Sequence, residues 1–134
     1  SYPIKKSEVT AAILKNKINL KKIIKIVHLE IRKKMDNFLK KYKNKKFIVL
    51  DIPLLLENKI NKKTDILIFV HSKKSDILKR LKKRENFNPQ LLKKFKDIQL
   101  PLDYKKKKSR FIIKNNFTKK TVRKSVNHIL SKIR

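Results

Sequence analysis

The chain has 134 residues, with forty Lys and Arg against ten Asp and Glu, a formal net charge of +30, 40% hydrophobic residues and no Gly, Cys or Trp. That length suits one domain with a modest core. Gly normally supplies about 7% of residues, and its absence excludes a Walker A loop, a Rossmann fingerprint and a nucleophile elbow, which need backbone without a Cβ; the absence of Cys excludes disulfides, thiolate zinc sites and thiol nucleophiles.

Taken in chain order, the segment from Ser7 to Leu14 reads as a short helix, with Ser7 as its cap and Val9, Ala12 and Ile13 on one face. A longer helix is predicted from about Leu20 to Tyr42. Leu20, Ile23, Ile24, Val27, Ile31, Met35, Phe38 and Leu39 recur at helical spacing, with lysines opposite. This helix also carries His28, which reads either as a packed core histidine or as a binding group. Together these elements form a helical region over about 7–42. Lys40 to Lys46 is a basic connector.

Phe47-Ile48-Val49-Leu50-Asp51 is an apolar run ending in an acid, the pattern of a strand buried on both faces in a parallel sheet. Pro53 ends it. A second such strand is predicted over 65–70 and a third, short one over 111–114, giving core strands at 47–51, 65–70 and 111–114. Between the last two, Lys73 to Arg84 reads as a basic amphipathic helix, and Asn88-Pro89 as an N-cap with Pro at the first helical position of a helix reaching Gln99. Arg80 and Arg84, four apart, are placed on one face of that basic helix. A short helix follows Pro101, and Thr118 precedes a final helix with Val122, Val126, Ile129, Leu130 and Ile133 inward. Strands alternating with helices give an α/β class, treated as a single domain over 1–134.

The charge admits a small basic nucleic-acid-binding protein, since lysines release counterions from phosphates. Lys outnumbers Arg 34 to 6, however, and lysines fill almost every segment rather than one stripe. Arg is the usual choice for bidentate phosphate and base contacts. Heavy use of Lys, Asn and Ile also fits an AT-rich coding bias. No apolar run is long enough to cross a bilayer and no leader pattern is visible, so a cytoplasmic setting is expected.

Ligands of α/β sheets bind at the carboxyl ends of strands, which places Asp51-Ile52-Pro53-Leu54-Leu55-Leu56-Glu57 at a site lip or, alternatively, makes it a hydrophobic plug. The order of features goes further. Ile26-Val27-His28 is followed by DIPLLLE, the strand DILIFV, the Arg80-x-x-x-Arg84 pair, Gln99, and Phe111-Ile112-Ile113-Lys114-Asn115-Asn116 before a terminal helix. This series resembles the dephospho-CoA kinases over essentially the whole chain, with the DxPLLxE segment as its most specific part; another P-loop nucleotide kinase is the next reading.

The resemblance implies a P-loop kinase-like parallel sheet flanked by helices, here lacking the N-terminal P-loop strand and helix. It implies ATP as donor with Mg²⁺, and the ribose 3′-hydroxyl of dephospho-CoA as acceptor. No specific nucleic acid, membrane or resident protein metal site is implied. By that likeness His28, Pro53, Leu54, Leu55 and Glu57 fall on the substrate side, Arg80 and Arg84 are catalytic lid arginines within a lid over about 73–99, and Asn115 lies near the adenine. Asp51 reads as a Walker B-like acid or as a strand-end turn residue. Three positions depart from the family: Leu29 where Pro follows the helical His, Ser109-Arg110 where Ala-Asp precedes the last strand, and Phe117 where Gly follows the Asn turn. The Gly-rich phosphate loop of the family is absent, so the chain is expected to be the C-terminal part of a longer kinase, inactive alone.

Overall fold

The computed structural model describes residues 3–133. Six helices and two strands run in the order α1 (Lys6–Lys15), α2 (Lys17–Lys41), β1 (Ile68–His71), α3 (Lys74–Lys82), α4 (Pro89–Asp97), α5 (Leu102–Lys108), β2 (Phe111–Lys114) and α6 (Lys119–Ile133). The α/β class holds, with a small parallel sheet. The chain does not form one unit: residues up to 61 group with 89–99, and 62–88 group with those from 100 onward. The expected lid span of 73–99 is thereby divided between the two.

The first unit is helical. Glu8, not Ser7, closes the start of α1: Lys5 N–H donates to Glu8 Oε2 at 3.2 Å, and Ser7 lies inside the helix. A carboxylate in the first turn also suits the positive end of the helix dipole. Asn16 breaks the two helices apart. Its extended backbone ends α1, and its Oδ1 accepts from Ile18 N–H at 2.8 Å to cap α2. Asn19 Nδ2 reaches back to the Ala12 carbonyl at 2.9 Å and pins the corner. Ile13, Leu20 and Ile60 are the buried apolar residues here. The inward stripe of α2 passes through Leu20 and His28, which turns Val27 and Phe38 outward.

The second unit is built on the parallel pair β1–β2, with Ile68 opposite Phe111 and His71 opposite Lys114. The ladder starts late. Asp65 is held in a turn, accepting from Lys62 N–H at 2.8 Å and donating its own N–H to the Lys62 carbonyl. Pairing therefore begins at Leu67, whose carbonyl accepts from Arg110 N–H at 2.9 Å. It ends where Asn115 N–H donates to the His71 carbonyl at 2.7 Å. α6 packs on β2, and Ile113 and Ile129 are the buried apolar pair.

The strand expected at 47–51 does not form: residues 47–52 are irregular, and Val49 is 87% exposed, with Phe47 and Leu50 also open. An apolar run becomes a strand only through ladder bonds with a neighbour, and among the described residues none pairs with it. Leu50, placed inward by the apolar run, is exposed for the same reason.

Candidate functional site

The segment after Pro53 forms a tight helical turn. Ile60 N–H donates to the Leu55 carbonyl at 3.1 Å and Lys59 N–H to the Leu56 carbonyl at 3.2 Å. With Lys59 at φ 50°, this is a Schellman closure whose left-handed position normally takes Gly. The chain has none, so a lysine carries the strain of roughly 1–2 kcal/mol. Burial of Ile60 beside the half-buried Leu55 and Leu56 offsets it. Leu54 is also left-handed, at φ 55°. Its carbonyl is held twice by Asn58, by the backbone N–H at 3.1 Å and by Nδ2 at 2.9 Å.

That turn meets the middle of α2. Asn58 Nδ2 lies 3.2 Å from His28 Nε2, and Arg32 Nη2 donates to the Asn58 carbonyl at 2.6 Å. His28 is only 7% exposed. Beside it opens a cleft of about 530 Å³, whose lining includes His28, Arg32, Leu54 and Glu57 together with Lys21, Lys25 and Asp97. Three permanent cations face two acids, so the cleft favours an anionic occupant. All of these residues belong to the helical unit.

In the sheet unit, Arg80 in the last turn of α3 stacks its guanidinium over the Phe117 ring, 4.4 Å from the centroid. Phe117 sits at φ 63°, held there by Asn115 Oδ1, which accepts its N–H at 2.8 Å. Arg80 thus lies beside the Asn115 turn. Arg84 is not on the helix: α3 ends at Lys82, and Arg84 N–H donates to the Leu81 carbonyl within the following turn. No apolar residue follows Leu81 until Phe87 to extend the helix's packed stripe.

A family model described as dephospho-CoA kinase matches residues 4–121. The chain belongs to the dephospho-CoA kinase family. It is 33% identical over 117 residues to the dephospho-CoA kinase of Wolbachia pipientis wMel, covering 86% of this chain and 60% of that protein. It is 33% identical over 116 residues to the Fusobacterium nucleatum dephospho-CoA kinase, covering 84% and 58%. The Bacillus anthracis dephospho-CoA kinase is 34% identical over 110 residues, covering 81% and 55%. The chain therefore spans rather more than half the length of these relatives.

Of the positions the family resemblance singles out, His28, Leu54 and Glu57 line one cleft, while Pro53 is exposed and Pro53 and Leu55 lie outside its lining. Arg80 and Asn115 share the neighbourhood of one turn in the other unit. Asp51 is exposed, and the described residues contain no group of three His, Asp or Glu able to hold a metal ion. Asn58 and Arg32 escaped the sequence reading. The spacing of His28 and Arg32, four apart on α2, was a readable sign that they share a face. Nothing in the sequence pairs Asn58 with a histidine thirty residues earlier.

Proposed function

We propose that this chain is the acceptor-binding and lid portion of a dephospho-CoA kinase, the enzyme type that moves the γ-phosphoryl group of ATP to the ribose 3′-hydroxyl of dephospho-CoA. The cationic cleft carries the reading: His28, Leu54 and Glu57, named by the family likeness, line it together with Arg32. Dephospho-CoA offers the matching chemistry, an anionic pyrophosphate beside apolar and hydrogen-bonding groups. Leu54 gives an apolar wall, while Lys21, Lys25 and Arg32 neutralise phosphate charge. Pro53 fixes the direction in which the chain enters the turn, and the Leu55 carbonyl closes that turn by accepting from Ile60 N–H.

Arg80 and Arg84 act on the donor side. Phosphoryl transfer needs positioning and charge neutralisation rather than covalent work by the protein. Guanidinium groups on a closing element supply that charge once both substrates are bound, and closure keeps water out. Asn115 borders the adenine. The fold is that of a P-loop kinase whose Gly-rich phosphate loop is not among these residues, since the sequence has no Gly. Mg²⁺ enters with ATP; the residues described do not make a three-ligand site for it. A cytoplasmic setting goes with this activity, and no helix among the described residues is long and apolar enough to cross a membrane.

The test is a calorimetric titration of the 134-residue chain with dephospho-CoA, together with an assay of ADP release. The expected result is saturable binding of dephospho-CoA with no ADP release. Absence of binding contradicts the acceptor site, and ADP release dependent on dephospho-CoA contradicts the division of labour proposed for this chain.

A further inference from the structure

The amide of Asn58 stands between two atoms of different kinds. Its Nδ2 lies 2.9 Å from the Leu54 carbonyl oxygen and 3.2 Å from His28 Nε2. A carbonyl oxygen only accepts. The group pointing at Leu54 must therefore be the NH₂ end of the amide, because the amide oxygen there would repel it. The same NH₂ group faces His28 Nε2, so that nitrogen is the acceptor and cannot carry a proton in the neutral ring. The proton of a neutral imidazole then sits on Nδ1.

The other ring nitrogen has no partner that would set the tautomer from its side. His28 Nδ1 is buried and is the one buried side-chain polar atom among the described residues with no hydrogen-bond partner. An orphaned donor inside a fold calls for an explanation, and functional use is one of the standard ones. The ring borders the cationic cleft.

We propose that Asn58 is a positioning residue that selects the Nδ1–H tautomer of His28 and fixes the ring against the cleft. Asn58 is itself clasped from the far side. Arg32, one turn beyond His28 on α2, donates to its backbone carbonyl at 2.6 Å. α2 and the 53–60 turn are thus joined by a three-residue network in which only the Asn58 side chain decides the state of the imidazole. The inference rests on the acceptor-site reading for its functional consequence, but not for the tautomer itself.

The chain carries three histidines, so ¹⁵N-histidine labelling of the full chain resolves them. His28 is assigned with His28→Gln, and spectra are recorded at alkaline pH where imidazoles are neutral. The wild-type spectrum is expected to show His28 with protonated Nδ1 and unprotonated Nε2; a protonated Nε2 overturns the proposal without any variant. Asn58→Ala keeps the backbone carbonyl that Arg32 uses and removes only the amide. It is expected to release His28 into a mixture of tautomers with unchanged helix content by circular dichroism. Asn58→Asp replaces the donor with an acceptor and is expected to put a proton on Nε2. An unchanged tautomer in both variants overturns the proposal. Arg32→Ala, which loosens the same junction without touching the amide, is expected to leave the tautomer as it is; this separates selection of the proton from general loosening. Affinity for dephospho-CoA is expected to fall about tenfold in Asn58→Ala, the scale of one hydrogen bond. If the wild-type chain does not bind dephospho-CoA at all, the acceptor reading fails while the tautomer result stands by itself.

Discussion

In the helical unit His28 is 93% shielded, hydrogen-bonded to Asn58, and Asn58 is held in turn by Leu54 and Arg32. In the sheet unit Arg80 is exposed and rests on the face of Phe117, and Arg84 lies past the end of its helix. One set of groups is fixed by burial and directional bonds; the other is held by a stacking contact of about 0.5–1 kcal/mol at an exposed site. The difference suits the two tasks proposed for them. An acceptor pocket gains affinity from being preorganised. A lid arginine must leave its resting place to reach a phosphate, and a weak stack is easily exchanged for one.

The largest effect is expected where the helical unit has most of its packing. Leu20 is 3% exposed, so Leu20→Ala should cost about 2–5 kcal/mol in denaturant unfolding. Because α2 carries both His28 and Arg32, it should also blur the cleft resonances while those of β1 and β2 change less. Equal disturbance of both regions would show that the contrast between them is overstated.

A smaller and opposite effect is expected at the left-handed positions. Lys59→Gly removes a left-handed Cβ penalty of roughly 1–2 kcal/mol and adds a chain-entropy cost of about 0.5–1 kcal/mol. A net gain of up to about 1.5 kcal/mol should appear as a raised Tm. Phe117→Gly makes the same exchange in the sheet unit but also loses the Arg80 stack, so its gain should be smaller or absent. A larger gain at Phe117 than at Lys59 would mean that the stack contributes nothing.

The smallest effect concerns Glu30. Lys33 Nζ donates to Glu30 Oε1 at 2.9 Å on the exposed side of α2, and this bond together with the lysine charge holds the Glu30 carboxyl below the usual glutamate range. A lowered carboxyl pKa favours the fold above its ordinary value, and the contribution is lost as pH falls through the folded value. Both side chains are largely in solvent, where such pairs are worth little. Glu30→Gln is expected to leave Tm unchanged at neutral pH and to flatten only slightly its decline in acid.

Much of this arrangement could be read from residue spacing. The helix periods of α2 and α6, the parallel character of β1 and β2 and the Asn88-Pro89 opening of α4 are local patterns, and each corresponds to an observed element; burial was less legible, since Val27, Phe38 and Val126, read as inward, are exposed, and so are Ile68 and Val70 of a strand expected to be buried on both faces. Two kinds of feature could not be read locally. The run 47–51 has the composition of a buried strand, but strand formation depends on a partner that its own residues do not specify. The meeting of Asn58 with His28 depends on how the 53–60 turn closes, and that turn uses left-handed Leu54 and Lys59 in place of glycine. With no Gly in the sequence to mark the tight positions, the usual signpost of such a turn was missing.

The central claim, that the cleft between α2 and the 53–60 turn receives the acceptor, is tested most directly by a matched pair of substitutions. Leu54 and Leu55 are adjacent and both half-buried, but Leu54 lines the cleft and Leu55 does not. Dephospho-CoA affinity should be measured by calorimetry for Leu54→Ala and Leu55→Ala, with unfolding curves for each. A loss of about tenfold is expected for Leu54→Ala, the scale of one apolar contact surface removed, and little change for Leu55→Ala at comparable stability. Equal affinity losses in the two variants, or a loss confined to Leu55→Ala, would contradict it.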